Sequence, residues 1–220
     1  IWNKNATDES FVPKNSQSSW WANYTNGTEV DKMLNQAVKS YTDQNSVSAS
    51  WDQMFKYFNE QHGKGSKGYT KGEKIYIKIN ITNSASGIKK TANFDRMDAT
   101  PELVLSLLKQ LIEEVGVSQS DIYVGDPFRT FHDLYWNKCH SVYPDVVYCH
   151  GRKESATEGR HQTVPSKDAV MFFSDKKLQY KIPQEYIDSE YLINMPCLKT
   201  HNEGAITLGA KNHQGSILRP

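Results

Sequence analysis

The chain has 220 residues, of which 37% are hydrophobic and 11% aromatic. That is enough to bury one sizeable core, and it fits one domain with an extension better than two full domains. Lys and Arg number 26 against 25 Asp and Glu, a net charge of +1, which excludes wholesale binding to nucleic acid or an anionic membrane and makes any basic site local. No apolar run approaches the roughly 20 residues that span a bilayer, and no signal-peptide pattern opens the chain.

Ile1 stands where an initiator methionine would, so the N-terminus reads as trimmed, with an export signal among the things lost. The opening segment is rich in Asn, Ser, Thr and Trp. Its sequons Asn5-Ala6-Thr7, Asn23-Tyr24-Thr25 and Asn26-Gly27-Thr28 matter only in a eukaryotic secretory pathway. Phe11, Trp20 and Trp21 are costly to expose, so this arm is expected to lie against the body. Thr28 is the expected N-cap of a first helix with Val30, Met33, Leu34, Ala37, Val38 and Tyr41 at helical spacing. Ser50 is the expected cap of a second, whose stripe of Trp51, Met54, Phe55 and Phe58 is the pattern for docking on a sheet. Residues 1–71 thus form a Trp-rich helical N-terminal extension, and 72–220 an α/β domain.

The Gly- and Lys-rich stretch from His62 to Lys74 lacks phosphate-loop spacing and precedes a strand, so it is a solvated connector. In the strand that follows, Ile75, Ile77, Ile79 and Ile81 alternate with Tyr76, Lys78 and Asn80. A helix is predicted from Thr100 as N-cap and Pro101 at its first position, with Gly116 beyond its end. "DIYVGDP" is a short strand, "TFHDLYWNKCH" a helix, and "DVVYCH", "AVMFF" and "YLINMP" are further β-rich runs. Strands alternating with helices at this spacing predict a mostly parallel sheet with helices on both faces.

Ligands of such sheets bind beyond the carboxyl ends of the strands. Lys78 and Asn80, Asp126, and the trio Lys199, Thr200 and His201 all follow or end predicted strands there. Thr207 and Lys211, four apart, are expected on one face of a helix starting near Gly204, with Asn212 alongside and Lys211 pointing into the site. Lysine ammoniums, hydroxyls and helix N–H groups together suit phosphate or carboxylate. The bland alternative is that Thr200 or Asn202 caps the helix while the lysines are solvated. His201 and His213 with Asp126 make a weaker metal set, because tight ligand spacings are absent, and Cys139-His140 and Cys149-His150 fall in different elements. The three cysteines sit in no CxxC spacing and read as buried thiols without an activating partner.

The segments "YIKINI", "TPELVLSLLKQLIEEVG", "IYVGDP" and above all "LINMPCLKTHNEGAITLGAKNHQGS" resemble the bacterial and archaeal domain of unknown function family 362, from about Gly72 onward. A KTH after a strand followed closely by a KN is the specific part. The resemblance implies no particular reaction. Relatives are often fused to ferredoxin-like iron–sulfur segments, which implies a redox partner, but this chain has no cysteine-rich run and cannot hold a cluster alone. Extended members resemble exported proteins of Bacteroidetes-type bacteria, which implies the periplasm or cell envelope, with the cytoplasm as the alternative. The family's domain continues past the KN motif, so the α/β domain is expected to be incomplete at Pro220.

The reading that results is an enzyme acting on an anionic small molecule or cofactor whose identity the sequence leaves open. Lys199 and Lys211 hold the anion, Thr200 and Thr207 orient it, and His201 is the acid/base. Asp126 and Lys78 complete the site, with Asn80 and Asn212 beside them and no metal assigned. The alternative is a non-catalytic docking module for an iron–sulfur protein.

Overall fold

The computed structural model describes residues 1–7, 24–82, 98–151, 158–177, 179–201 and 204–218. Phe11, Trp20, Trp21 and Asn202 lie outside them. Helix α1 (Gly27–Thr42) is capped by Asn26, whose side-chain oxygen accepts from the N–H groups of Thr28 and Glu29. Helix α2 (Val47–Gln61) is capped by Ser46, with 3.1 Å to the Ala49 N–H. Both helices therefore start earlier than Thr28 and Ser50 would set them. An N-cap oxygen must reach the N–H two or three residues on, and the preceding Asn and Ser are already placed to do so. Ser50 is buried inside the first turn, its hydroxyl donating to Ser46 O at 2.8 Å. Tyr41 leaves the apolar face and is exposed.

Next come β1 (Ile75–Ile79), α3 (Pro101–Lys109), β2 (Ile122–Asp126), α4 (Asp133–His140), β3 (Val147–His150) and β4 (His161–Gln162). Pro101 opens α3 directly after Thr100, and the helix runs on as one π-type turn, Gln110–Glu114, before Gly116 at φ +84°. The chain then forms β5 (Pro165–Phe172), β6 (Gln179–Pro183), α5 (Gln184–Ile187), β7 (Tyr191–Met195), β8 (Lys199–His201), β9 (Ala205–Thr207) and α6 (Gly209–Asn212).

Five strands form one parallel sheet in the order β4-β3-β2-β1-β7. The "AVMFF" run is not among them, because β5 pairs antiparallel with β6 in a hairpin of its own. From β1 to β4 the chain steps outward in one direction, then returns to lay β7 on the other side of β1. Right-handed crossovers in opposite directions put their connecting helices on opposite faces. The packing agrees. On one face Ile75, Ile77, Ile79, Ile122, Val124 and Tyr148 meet Trp51 and Phe55 of α2, Leu108 of α3 and Tyr135 of α4. On the other, Tyr76, Tyr123 and Cys149 meet Tyr186 of α5.

The N-terminal helices share this core. Phe55 lies 4.7 Å from the Tyr191 ring of β7, and the Trp51 indole N–H donates to Gln110 Oε1 at 2.9 Å. Phe55→Ala should therefore lower global stability by about 3–5 kcal/mol in a single cooperative urea transition. A small effect, or a separate early transition, would show that α1 and α2 unfold independently of the sheet.

Candidate functional site

Alternation along β1 sends Ile77 and Ile79 into the helical layer and Tyr76 and Lys78 to the opposite face. Lys78 is 1% exposed, so its ammonium has lost its water and needs protein partners. Three are present: Asp126 Oδ2 at 3.1 Å, Ile79 O at 2.6 Å and Asn212 Oδ1 at 3.2 Å. An ammonium has three hydrogens to donate, so its capacity is filled. Burial pulls its pKa below the ordinary lysine value, and the Asp126 carboxylate opposes that pull. Gly125, across from Lys78 on β2, allows the close approach of β3. A Cβ there would meet Cys149 O at 2.5 Å.

The motif after β9 closes over this pair. Asn212 donates to Lys78 O at 3.1 Å and to Asn194 Oδ1 at 2.7 Å, while Asn194 on β7 donates to Gly209 O at 2.9 Å. Gly215 lies so near that a Cβ on it would come 3.0 Å from Asp126 Oδ1. Lys78, Asp126 and Asn212 are thus brought together, from three separated segments, as a closed floor. Asn194 belongs with them and was not singled out from sequence. Its signal was a polar residue in register with Lys78, readable only once β1 and β7 are known to pair.

A second cluster stands at the same edge. Lys199 donates from Nζ to Asp98 Oδ1 at 3.1 Å, and Ala99 N–H donates to Asn80 O at 2.8 Å, which ties the 98–99 segment to the end of β1. Asn80 is buried, its side-chain oxygen accepting from the Thr82 hydroxyl at 3.0 Å.

The helix expected from Gly204 is a correction. Ala205 has φ 55° and β9 pairs antiparallel with β8, Lys199 opposite Thr207. Cross-strand bonding takes up the backbone that a helix would need, so α6 begins only at Gly209 and lasts one turn. Thr207 and Lys211 therefore share no helical face. Thr207 is buried, its hydroxyl accepting from Lys199 N–H at 3.2 Å and donating to Cys197 O at 2.7 Å. Ile206 and Ala210, which a helix from Gly204 would have placed together on a neighbouring face, are exposed. Lys211 is half-buried and donates to Gln214 Oε1 rather than into the Lys78 cluster. Thr200 is exposed, and His201 is half-buried with Nδ1 accepting from Gly204 N–H at 3.1 Å.

All three cysteines are buried and unbridged. Burial pushes the Cys139 thiol up to about 12 and Cys149 well above its ordinary value, so neither offers a thiolate at neutral pH. His140 stacks on Trp136, His150 Nδ1 accepts from Phe131 N–H at 3.2 Å, and His213 meets the Ser216 hydroxyl. Among the described residues no three metal-ligating side chains converge. A groove of about 270 Å³ lies elsewhere, between α1, α3 and α4, where Lys109 pairs with Asp31 and Lys138 with Glu102.

Residues 75–220 match the family model described as Domain of unknown function (DUF362). The chain belongs to that family. No curated protein and no solved structure matches it.

Two outcomes follow from the buried charges. Asp126→Asn strands the Lys78 ammonium without its carboxylate and should lower stability by about 3–5 kcal/mol, whereas adding Lys78→Met to it should recover part of the loss in urea unfolding. His132, buried before α4, is held neutral down to about 4 from an ordinary 6.5, chiefly by burial and then by the Arg160 guanidinium. The unfolded chain takes up this proton first, so the contribution is complete above 6.5 and lost as pH falls toward 4. It amounts to about 3 kcal/mol across that window, and His132→Gln should flatten that part of the stability profile.

Proposed function

We propose that this member of the family is an enzyme that binds an anionic small molecule, phosphate- or carboxylate-bearing, at the carboxyl edge of its sheet. The observation that carries the reading is the buried Lys78–Asp126 pair of β1 and β2, linked through Asn212 to Asn194 of β7 and so adjoining the place where strand order reverses, between β1 and β7. Reversal points open a crevice beyond the strand ends, the usual ligand position in parallel sheets. A buried ion pair is a poor way to gain stability compared with apolar packing, so its presence there fits a role in arranging polar groups.

In this reading Lys78, Asp126, Asn194 and Asn212 hold the floor and do not touch the ligand. Asn80 and Thr207 fix the ends of β1 and the β8–β9 hairpin. The groups with some exposure would meet the anion: Lys211 and, alongside its Asp98 partner, Lys199 as charges, Thr200 as a hydroxyl donor, and His201 as acid/base. Gly204 brings two of them near each other, since a Cβ on it would lie 3.5 Å from Lys211 Cε and 3.7 Å from His201 Nδ1.

A second reading, docking of an iron–sulfur redox protein, draws on the same hairpin, where Leu198, Ile206 and Leu208 are exposed beside these basic groups. Apolar side chains with a cationic rim suit a transient protein contact.

Thermal melts with inorganic pyrophosphate and with citrate separate the two. The enzyme reading expects a rise in melting temperature with at least one of them, worth about 2.7 kcal/mol at a hundredfold excess over Kd. Lys211→Met should keep the ligand-free melting temperature and lose most of the shift. Flat melts with both anions would overturn the small-molecule site, and a shift undiminished in Lys211→Met and in His201→Gln would place the anion elsewhere.

A further inference from the structure

The hairpin of β5 and β6 stands outside the sheet. Its base and the middle of β6 are anchored: Ser166 is buried, Gln184 N–H donates to Val164 O at 2.7 Å, and Lys181, opposite Val170, pairs with Leu218 through bonds of 2.9 and 2.8 Å. The far end is different. Phe172 is 61% exposed and Phe173 38%, and Ser174, Asp175, Lys176 and Lys177 are all exposed.

The turn itself is well closed. Lys176 N–H donates to Phe173 O at 2.8 Å with Lys176 at φ 55°, and Asp175 Oδ1 accepts from Lys177 N–H at 3.0 Å. Phe173 is braced edge-on against Tyr180 at 5.0 Å. Both rings are therefore open to solvent, Phe173 in part, beside a hydrogen-bonded turn. Lys167, Lys176, Lys177 and Lys181 outnumber Asp168 and Asp175 on the hairpin, and the Asp175 carboxylate is turned to its own backbone. In a chain of net charge +1 this is a local basic surface.

We propose that this tip docks on an anionic lipid bilayer. Phe172 and Phe173 enter the boundary between headgroups and acyl chains, while Lys176 and Lys177 stay at headgroup level against the negative charge, their stems lying along the apolar layer. No described helix is long and apolar enough to cross a membrane, and a tip of this kind gives reversible attachment to one leaflet. A protein partner is the poorer fit, because a stable protein interface needs about 800 Å² from each side, far more than one turn offers. Two rings and two ammoniums are enough for shallow insertion.

Flotation of the whole chain with vesicles tests this. The protein should float with phosphatidylcholine vesicles containing phosphatidylglycerol, not with phosphatidylcholine alone, and added salt should release it. Lys176→Glu with Lys177→Glu should lower the partition by on the order of twentyfold or more. Phe172→Ser with Phe173→Ser should abolish flotation; the lysine double variant should melt with the wild type because its side chains are exposed, and the phenylalanine one slightly lower for want of the Phe173 contact with Tyr180. No flotation of the wild type on anionic vesicles overturns the proposal, as does flotation undiminished in both variants. Retention on polyglutamate beads without flotation would assign the tip to an acidic protein instead.

Discussion

An ammonium with almost no access to water fixes the arrangement of this domain's carboxyl edge. Lys78 can stay charged only where a carboxylate and two further acceptors surround it, and these come from β2, from its own strand and from α6. That requirement ties Asp126, Asn212 and, through Asn212, Asn194 into one network. It also explains a glycine. Gly215 lets the C-terminal turn lie against the carboxylate and the ammonium, while Gly125 admits the Cys149 backbone of β3 beside β2. The KN motif is thus part of the sheet's edge, although it lies far along the chain from β1.

The rest of the architecture is compatible with that edge because the two sheet faces are chemically different. The face toward α2, α3 and α4 is isoleucine, leucine and aromatic packing, which supplies the bulk of the hydrophobic stabilisation. The other face carries Tyr76, Tyr123, Cys149, Asn194 and Lys78 under short covers from α5 and α6. A polar, thinly covered face leaves room for bonding that an apolar face would exclude. The cost of burying these groups is offset by hydrogen bonds such as Tyr186 to Ser216 at 3.2 Å and Lys74 to Tyr123 at 3.1 Å.

The β8–β9 hairpin shows how local sequence preference gives way to pairing. "EGAITLGAKN" has helix-compatible spacing, yet Ile206 and Thr207 lie opposite Thr200 and Lys199. Strand pairing satisfies their backbone groups, and Thr207 becomes buried as a brace for Cys197 and Lys199. The result leaves His201, Thr200 and Lys211 as the groups facing outward, and separates the floor of the site from its rim.

Sequence alone determined the alternating β1, the Pro101-led helix, the parallel α/β class, the membership carried by the KTH and KN motifs, and the burial of the three thiols. The first two and the thiols rest on a periodicity or a local residue preference, the class and the membership on the order of such segments along the chain. It also singled out Lys78 and Asp126, because polar residues in or ending apolar strands stand out, and Asn212 through the KN motif. Tertiary structure decided their roles. That Lys78 is filled by Asp126 and not by a ligand, that Asn194 completes the network, and that Thr207 lies on a strand all depend on the register of β1 with β7 and of β8 with β9. Register is set by long-range packing of whole faces, which no local pattern encodes.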